Sequence, residues 1–548
     1  MRVGIDLDNT LINYEKAFTI AARQLNIIPQ EWVGSKRRLK DYLLTKPEGE
    51  RVWQTLQGQV YSSWIRNATL MEGAAWFLYR SINRGISICV VSHKTEYGHY
   101  DPKRVSLRKR ALEWMGEMGF FIDSGFGLDP KDVFFENTRQ EKVQRIGLLN
   151  LDYFIDDLPE IFQEPDFPAS VHRILYEVNA NSHGDAFSWS ICNHWTKVSE
   201  LILGKETKDE MRFMASLVLN NMDVKTCRSI YRGGNSRIYM IEKKDGLKIA
   251  LKRYPFYDYE DQGRLEREFT SFSFLHQNGI DLVPIPVIRN DQLNVGTFEW
   301  IEGEKIEKPN EDDLQQALHL IRALYELRNT SEASGLPIAT DACLSGSSLV
   351  RQINSRRKRL LVPATLHKQL QFHLENIFDP LWIKVQNWIK KNLPCNVDFN
   401  EILTSDLQTL SPSDFGFHNA LRKDSGRLCF LDFEYFGWDD PVKLVSDFCW
   451  HPGMHLTNQL RTIWLQETFE LFRDDPYFLS RLNILHPAFG LNWSLIVLNS
   501  YLPRARGKNQ KFYDLEGQLE KSIKFCEKVN ELIKHGSCIS SNLDPARN

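Results

Sequence analysis

Residues 411–434 read SPSDFGFHNALRKDSGRLCFLDFE, and the fold of the C-terminal half turns on them. Asp414 and Asn419 lie five apart across a loop. The turn residues KDSG (423–426) then join two short apolar runs, the second of which reaches Asp432. A carboxylate on such a loop can orient a hydroxyl and take its proton. Asn419 and Asp432 add the oxygen donors that Mg2+ prefers. The same residues could simply build a hairpin, so the segments upstream carry the decision.

In LKIALKRY (247–254) Ala250 and Lys252 share one face of a strand, and Ile249 and Leu251 share the other. A small residue beside a lysine leaves room for adenine and brings a cation to its phosphates. A lone lysine there would read as a solvent-facing strand residue. The next segment, GRLEREFTSFSFL (263–275), has Leu265, Phe269, Phe272 and Leu275 in one helical stripe. Glu268 falls inside the stripe and Glu266 outside it. A carboxylate on a buried face needs a partner, and Lys252 is the candidate. A Lys–Glu pair followed by a base and metal-binding oxygens is what kinase-type phosphoryl transfer uses.

Around these motifs SIYR (229–232), RIYMIEKK (237–244) and LKIALKRY read as antiparallel strands separated by GGN and KKDG turns. Residues 310–400 and the C-terminal part are mostly helical. FGLNWSLIVLNSYL (489–502) is the most apolar late run. Asn492, Ser494 and Asn499 interrupt it, so it reads as a buried helix rather than a membrane span, which needs ~18 or more apolar residues.

Residues from about 225 to 530 resemble the aminoglycoside-phosphotransferase and choline-kinase-like family. RGGNSRIY (232–239) is similar to its Gly-rich loop, IALKRY to its lysine strand, and FEWIEGEKI (298–306) to the hinge beside adenine. DFGFHN (414–419) is similar to its catalytic loop, and FLDFE (430–434) to its metal-binding segment. The resemblance implies an α+β bilobal protein-kinase-like fold, with an N-lobe at 225–305, a C-lobe at 306–535 and a tail at 536–548. It implies ATP as phosphoryl donor, bound through Gly233, Gly234, Asn235, Ser236, Lys252, Glu268, Glu299 and Trp300. Asp414 is then the catalytic base, with Asn419 and Asp432 on Mg2+. Two departures stand out: Ser411-Pro412-Ser413 precede Asp414 where the family usually has His-Gly, and GGNS is no strict GxGxxG.

A second carboxylate pair opens the chain, in GIDLDNTL (4–11), where Asp6 and Asp8 follow an apolar run. The runs RVGIDL, ISICVVS (86–92), YFIDD (153–157) and HRILYEV (172–178) alternate with amphipathic helical stretches, which predicts a parallel sheet flanked by helices. Carboxylates at the carboxyl ends of such strands converge on a ligand. Asp6 can attack phosphorus, Asp8 can serve as acid and base, and Thr10 can hold Asp8. Asp-Asn-Thr could equally be a helix N-cap.

Residues 1–203 resemble the haloacid-dehalogenase-like hydrolase superfamily, in its phosphotransferase branch. GIDLDNT carries the first motif, and ICVVSHK (88–94) the second, with Ser92 as phosphate ligand. QEKVQRIG (140–147) carries the third, with Lys142 as cation and Lys131 as a rival. YFIDDLPE (153–160) carries the fourth. The resemblance implies an α/β Rossmann-like parallel sheet with a helical cap inserted at about 13–72. Asp6 and Asp8, with Asp156 and Asp157, are the implied Mg2+ ligands. The polar stretch GKETKDE (204–210) opens an expected linker, 204–224, or the start of a bridging helix.

Bulk composition agrees with a multidomain globular chain: 548 residues, 42% hydrophobic and 25% charged. Lys+Arg 68 against Asp+Glu 71 gives no basic footprint for nucleic acid. The N-terminus carries charge within its apolar run and is not expected to be a signal peptide. Nine cysteines without a CxxC pair suggest neither a zinc site nor disulfides, and Cys89 reads as a small core residue. The expectation is a cytoplasmic bifunctional enzyme, a Mg2+-dependent phosphatase joined to an ATP-dependent kinase acting on sugars or sugar phosphates. The alternatives are a kinase with a non-catalytic N-terminal module, an interaction protein, and an antibiotic phosphotransferase. An antibiotic enzyme would want an acidic acceptor pocket for a polycation, for which Glu434, Asp439 and Asp440 are the candidates.

Overall fold

The computed structural model describes residues 1–98, 100, 104–178, 189–220, 223–231, 236–256, 263–395, 397–502 and 514–535. The chain divides into two compact units. The first comprises residues 1–247, 251–259 and 289–295; the second comprises 248–250, 260–288 and 296–548.

The first unit is built on a six-stranded parallel sheet. Its order is Val133–Glu136, Ser87–His93, Arg2–Ile5, Tyr153–Asp156, His172–Tyr176, Ser190–Cys192. Each of the three long apolar runs is buried on both faces, as central parallel strands are. Two flanking strands were not expected from sequence, VFFE and SIC, which are too short to show a period. Gly4 lets the first strand approach its neighbour: a Cβ there would lie 2.5 Å from Leu151 Cδ1. Register then sets the chemistry. Ile5 pairs with Val90 on one side and Ile155 on the other, so Asp6, Ser92, Asp156 and Asp157 all fall at the carboxyl end of the sheet.

Between the first two long strands, residues 15–62 fold into the helices Glu15–Gln24, Lys36–Leu44 and Gly49–Ser62. The chain enters and leaves them through a short antiparallel ribbon, Ile12–Asn13 with Thr69–Leu70. This is the segment expected to form a cap.

Residues 204–224 hold the helix Lys208–Val218, fixed at its start by a Thr207/Glu210 capping box. Glu210 is buried and accepts from Arg80 at 3.0 and 3.1 Å and from Arg84 at 2.8 Å. Glu206 accepts from Trp76 Nε1 at 2.7 Å, Arg237 at 2.9 Å and Arg253 at 2.5 Å. These ties join the first strands beyond residue 224 to the N-terminal unit.

A five-stranded sheet follows, in the order Pro286–Asn290, Val295–Glu299, Lys248–Arg253, Arg237–Lys243, Val224–Tyr231. Its last two strands pair antiparallel. In the second unit the helices from Glu311 onward surround one continuous apolar core that runs from Phe272 to Val529. Within this core Thr409–Ser411 pairs with Gly437–Asp439, and Ala420–Arg422 forms a hairpin with Leu428–Phe430. The late apolar run lies in the buried helix Phe478–Ile496 and a 3-10 turn, Val497–Tyr501. Among the described residues no helix is long and apolar enough to cross a membrane, and the described cysteines are free.

Candidate active sites

At the end of the parallel sheet, Lys142 holds two carboxylates together. It projects from the helix Arg139–Leu148, whose start is pinned by a Thr138/Glu141 capping box. Its Nζ lies 2.6 Å from Asp6 Oδ1 and 2.6 Å from Asp156 Oδ2, and Lys142 itself is only 1% exposed. Burial pushes the Asp6 carboxyl up to about 7 against the pull of Lys142, with Asp156 and Asp8 adding to the rise. Asp157 is likewise raised well above the usual carboxylate range by burial and by Asp6 and Asp156. Oxygens of Asp6, Asp156 and Asp157 lie within 4.8 Å of one another, a donor set of hard oxygens that suits Mg2+. The Ser92 hydroxyl is buried with no hydrogen-bond partner, as a side chain awaiting a ligand would be. Lys131 is exposed and precedes the strand Val133–Glu136, at the other end of the sheet.

Two details differ from expectation. The Thr10 hydroxyl donates to Asp157 Oδ1 at 3.4 Å and not to Asp8. Asp8 instead accepts from the Tyr14 hydroxyl at 2.7 Å and from Lys94 Nζ at 2.6 and 2.8 Å. Lys94 was legible in principle: it sits two residues beyond Ser92, on the same side of an extended chain. Lys36 gave no local signal. It comes from the inserted helices, donates to Asn9 Oδ1 at 2.7 Å, and lies 4.8 Å over the Phe18 ring.

In the second unit, Asp414 sits on the turn after Thr409–Ser411. Its Oδ1 accepts from His418 Nε2 at 3.0 Å and has His451 Nε2 at 3.8 Å. The two imidazoles stack with centroids 3.5 Å apart. Asn419 Nδ2 donates to the Asp414 carbonyl at 3.0 Å and to Oδ2 at 3.3 Å. Burial works to raise the Asp414 carboxyl, but the His418 hydrogen bond, the two histidines and Asn419 hold it down at about 2. Neither histidine role was read from sequence; His451 lies far along the chain, beyond any local pattern.

Ser413, in the position where the resembled family usually has glycine, takes φ +68. Its hydroxyl donates to Thr340 O at 3.2 Å and accepts from Lys443 Nζ at 3.0 Å. Lys443 is buried between Asp439 at 3.1 Å and Asp447 at 3.2 Å. Gly416 allows a close approach: a Cβ there would lie 2.2 Å from Met454 Sδ, to which Phe417 N–H donates at 3.1 Å.

Asp432 has φ +66, and its carboxylate oxygens lie within 4.8 Å of those of Glu268 and Glu434. Arg264 donates to Glu434 at 2.8 Å. The three acidic residues considered for a polycation pocket are therefore each matched by a buried cation: Glu434 by Arg264, Asp439 by Lys443, Asp440 by Arg481.

Lys252 is buried on the strand Lys248–Arg253, with Nζ 5.0 Å from the Tyr254 ring centroid. Glu268 is buried on the helix Arg264–Gln277. Glu299 N–H donates to Ile285 O at 2.8 Å, and Glu299, Trp300 and Ser236 are half-buried. Gly233, Gly234 and Asn235 lie outside the described residues.

Residues 226–476 match the phosphotransferase enzyme family, APH. That stretch contains Lys252, Glu268, Asp414, Asn419 and Asp432, and the C-terminal region has that family's kinase-like fold. Among solved structures, spectinomycin phosphotransferase APH(9)-Ia in complex with ADP and spectinomycin is similar at 13% identity. The likeness covers 58% of this chain and 98% of that one, with a TM-score of 0.42. A Plasmodium vivax ethanolamine kinase is similar at 11% identity over 60% of this chain and 91% of that one, TM-score 0.40. A choline/ethanolamine kinase family protein from Mesorhizobium loti is similar at 15% identity over 61% and 98%, TM-score 0.39. No curated protein matches the sequence.

Proposed function

We propose that the chain joins two phosphate-handling enzymes, an ATP-dependent small-molecule kinase and a phosphatase of the haloacid-dehalogenase type, acting on sugars or sugar phosphates. For the kinase, the family match over 226–476 carries the reading. Asp414 takes the proton of the acceptor hydroxyl, whose oxygen bonds to the γ-phosphorus as ADP leaves. Lys252 serves the nucleotide phosphates, and Asn419 and Asp432 would hold Mg2+, which would offset charge on the phosphoryl oxygens.

For the phosphatase, the carrying observation is Lys142 bridging Asp6 and Asp156 beside the unpartnered Ser92 hydroxyl. Asp6 attacks phosphorus, and the bond to the leaving alcohol breaks as Asp8 gives that oxygen a proton. Asp8 then takes a proton from the water that releases phosphate from Asp6. Lys142 offsets negative charge at the phosphoryl group. Mg2+ held by Asp6, Asp156 and Asp157 would supply Lewis-acid stabilisation of the phosphoryl oxygens.

The tight Lys94–Asp8 pair favours a second reading. With Asp8 neutralised, the N-terminal unit would bind a phosphorylated compound without hydrolysing it. A phosphorus NMR time course with MgATP and a panel of sugars, sugar phosphates and amino alcohols tests both. ADP formation supports the kinase, and inorganic phosphate released from a monoester in the absence of ATP supports the phosphatase. Monoester binding with no release selects the second reading.

A further inference from the structure

Behind Asp414, in the second unit, lies a cavity of about 200 Å3 whose wall includes His451, Trp450, Met454, Arg461 and Lys528. It adjoins the catalytic turn directly: His451 faces Asp414 from one side of this wall, and Met454 receives the Phe417 N–H. Among the described residues no Asp or Glu lines it. The two cations come from different helices, Arg461 from Asn458–Leu471 and Lys528 from Leu515–Lys534. The Arg461 Nε is buried without a hydrogen-bond partner. Lys528 lies 4.8 Å from the Trp450 ring centroid, and that indole is fixed by donating to His486 O at 2.9 Å.

Two half-buried cations converging on a concave surface with no carboxylate between them repel each other, and an anion there relieves the repulsion. The local field is felt by both neighbours. Burial and Arg461 push Lys528 down to about 8, and burial with Lys528 and Arg461 pushes His486 down to about 3. His451 accepts the Gly453 N–H on Nδ1 at 3.1 Å, so its Nε2–H faces Asp414, 3.8 Å away. The cavity is smaller than the roughly 300–1,000 Å3 that swallows a drug-sized ligand whole, and suits one compact group of a larger molecule.

We propose that this cavity binds an oxyanion group of the acceptor, a phosphate or a carboxylate, through Arg461 and Lys528, while the acceptor hydroxyl reaches Asp414. The inference rests on the kinase reading and narrows it: the substrate is an anionic hydroxyl compound, not a polycation or a quaternary amine. In the transfer, the acceptor oxygen forms the new bond to γ-phosphorus, the bond to the β–γ bridging oxygen breaks with ADP as leaving group, and the proton passes to Asp414.

The test measures ADP formation by the full chain with MgATP. Its acceptors are matched sets of neutral sugar, sugar phosphate, sugar acid and amino alcohol; the phosphate and carboxylate arms separate the two anion sources. The expected result is at least a 100-fold preference in kcat/KM for one anionic member over its neutral counterpart. R461Q and K528Q should each erase at least 10-fold of it, chiefly through KM. K528R should retain it, and K524Q, exposed on the same helix, should change nothing. Calorimetric titration with inorganic phosphate should show a site lost in R461Q and K528Q and kept in D414N. Turnover of neutral or cationic acceptors without preference, or an anion preference untouched by both glutamine variants, would overturn the inference and leave the kinase standing. No ADP from any acceptor would instead sink the kinase reading, and no phosphate site sensitive to Lys528 would sink the cavity assignment.

Discussion

The two carboxylate centres solve opposite electrostatic problems. Asp6 is buried among other carboxylates and answered by one ammonium, so burial prevails and its carboxyl rises to about 7. Asp414 is more open, with 37% of its side chain exposed, and donors surround it, with His418 and Asn419 on its oxygens and His451 close by, so it falls to about 2. A residue in the first state needs further positive charge before it can act as a nucleophile. A residue in the second is anionic throughout the physiological range. The contrast teaches that burial sets the charge of the N-terminal carboxylate, whereas hydrogen-bond donors and neighbouring imidazoles set that of the C-terminal one.

The sharpest way to break this contrast is to exchange the carboxylates for amides one at a time. D6N should abolish phosphate release, a fall on the order of 10^6 if Asp6 is the nucleophile, and leave ATP-dependent transfer intact. D414N should do the reverse, lowering transfer by about 10²–10⁴ as expected for a lost general base. Loss of both activities in either variant, with an unchanged far-UV spectrum, would contradict independent centres. Next in size is K142M. Removing the ammonium that bridges Asp6 and Asp156 leaves buried carboxylates unmatched and should destabilise the first unit by about 3–5 kcal/mol. Added MgCl2 should raise the melting temperature of this variant more than that of the wild type. An equal response in both would argue that Asp6, Asp156 and Asp157 hold no cation.

The contrast also shows what a sequence can carry. The strands at 2–5, 87–93 and 153–156 were legible because each is an unbroken apolar run that ends in polar residues, and their pairing brings Asp6, Ser92 and Asp156 to one edge. Asp414, Asn419 and Asp432 were legible because a loop and a hairpin fix their spacing. The partners that set the charge were not. Lys94 meets Asp8 across 86 residues of chain, Lys36 comes from inserted helices, and His451 follows the helix Pro441–Trp450. Only long-range packing gives those residues their roles. The buried Lys443 was equally hidden, since a lysine in PVKLVSDF has no local mark of burial.

A milder test concerns the histidine pair. H418Q keeps a nitrogen donor but loses the stacked ring, so kcat should fall by roughly 10-fold, the equivalent of ~1.4 kcal/mol, with KM for ATP unchanged. H418A should fall further. Equal activity of all three proteins would show that Asp414 is oriented by Asn419 alone.

The smallest expected effect lies one residue before the base. Both centres carry a left-handed residue beside a carboxylate of proposed catalytic role: Asn9, φ +59, after Asp8, and Ser413, φ +68, before Asp414. Asparagine tolerates that conformation, whereas serine does so at a cost of order 1 kcal/mol. Ser413 recovers part of it through Thr340 and Lys443. S413G removes the strain together with the two hydrogen bonds, so its stability should stay within about 1 kcal/mol of wild type. S413A keeps the strain and leaves Lys443 short of one acceptor, so it should lose about 1–2 kcal/mol and some transfer activity. Thermal unfolding of the three proteins, with kcat measured beside it, gives the order wild type and S413G above S413A. If S413A unfolds with the wild type, the serine hydroxyl contributes nothing and the turn is held by its flanking strands.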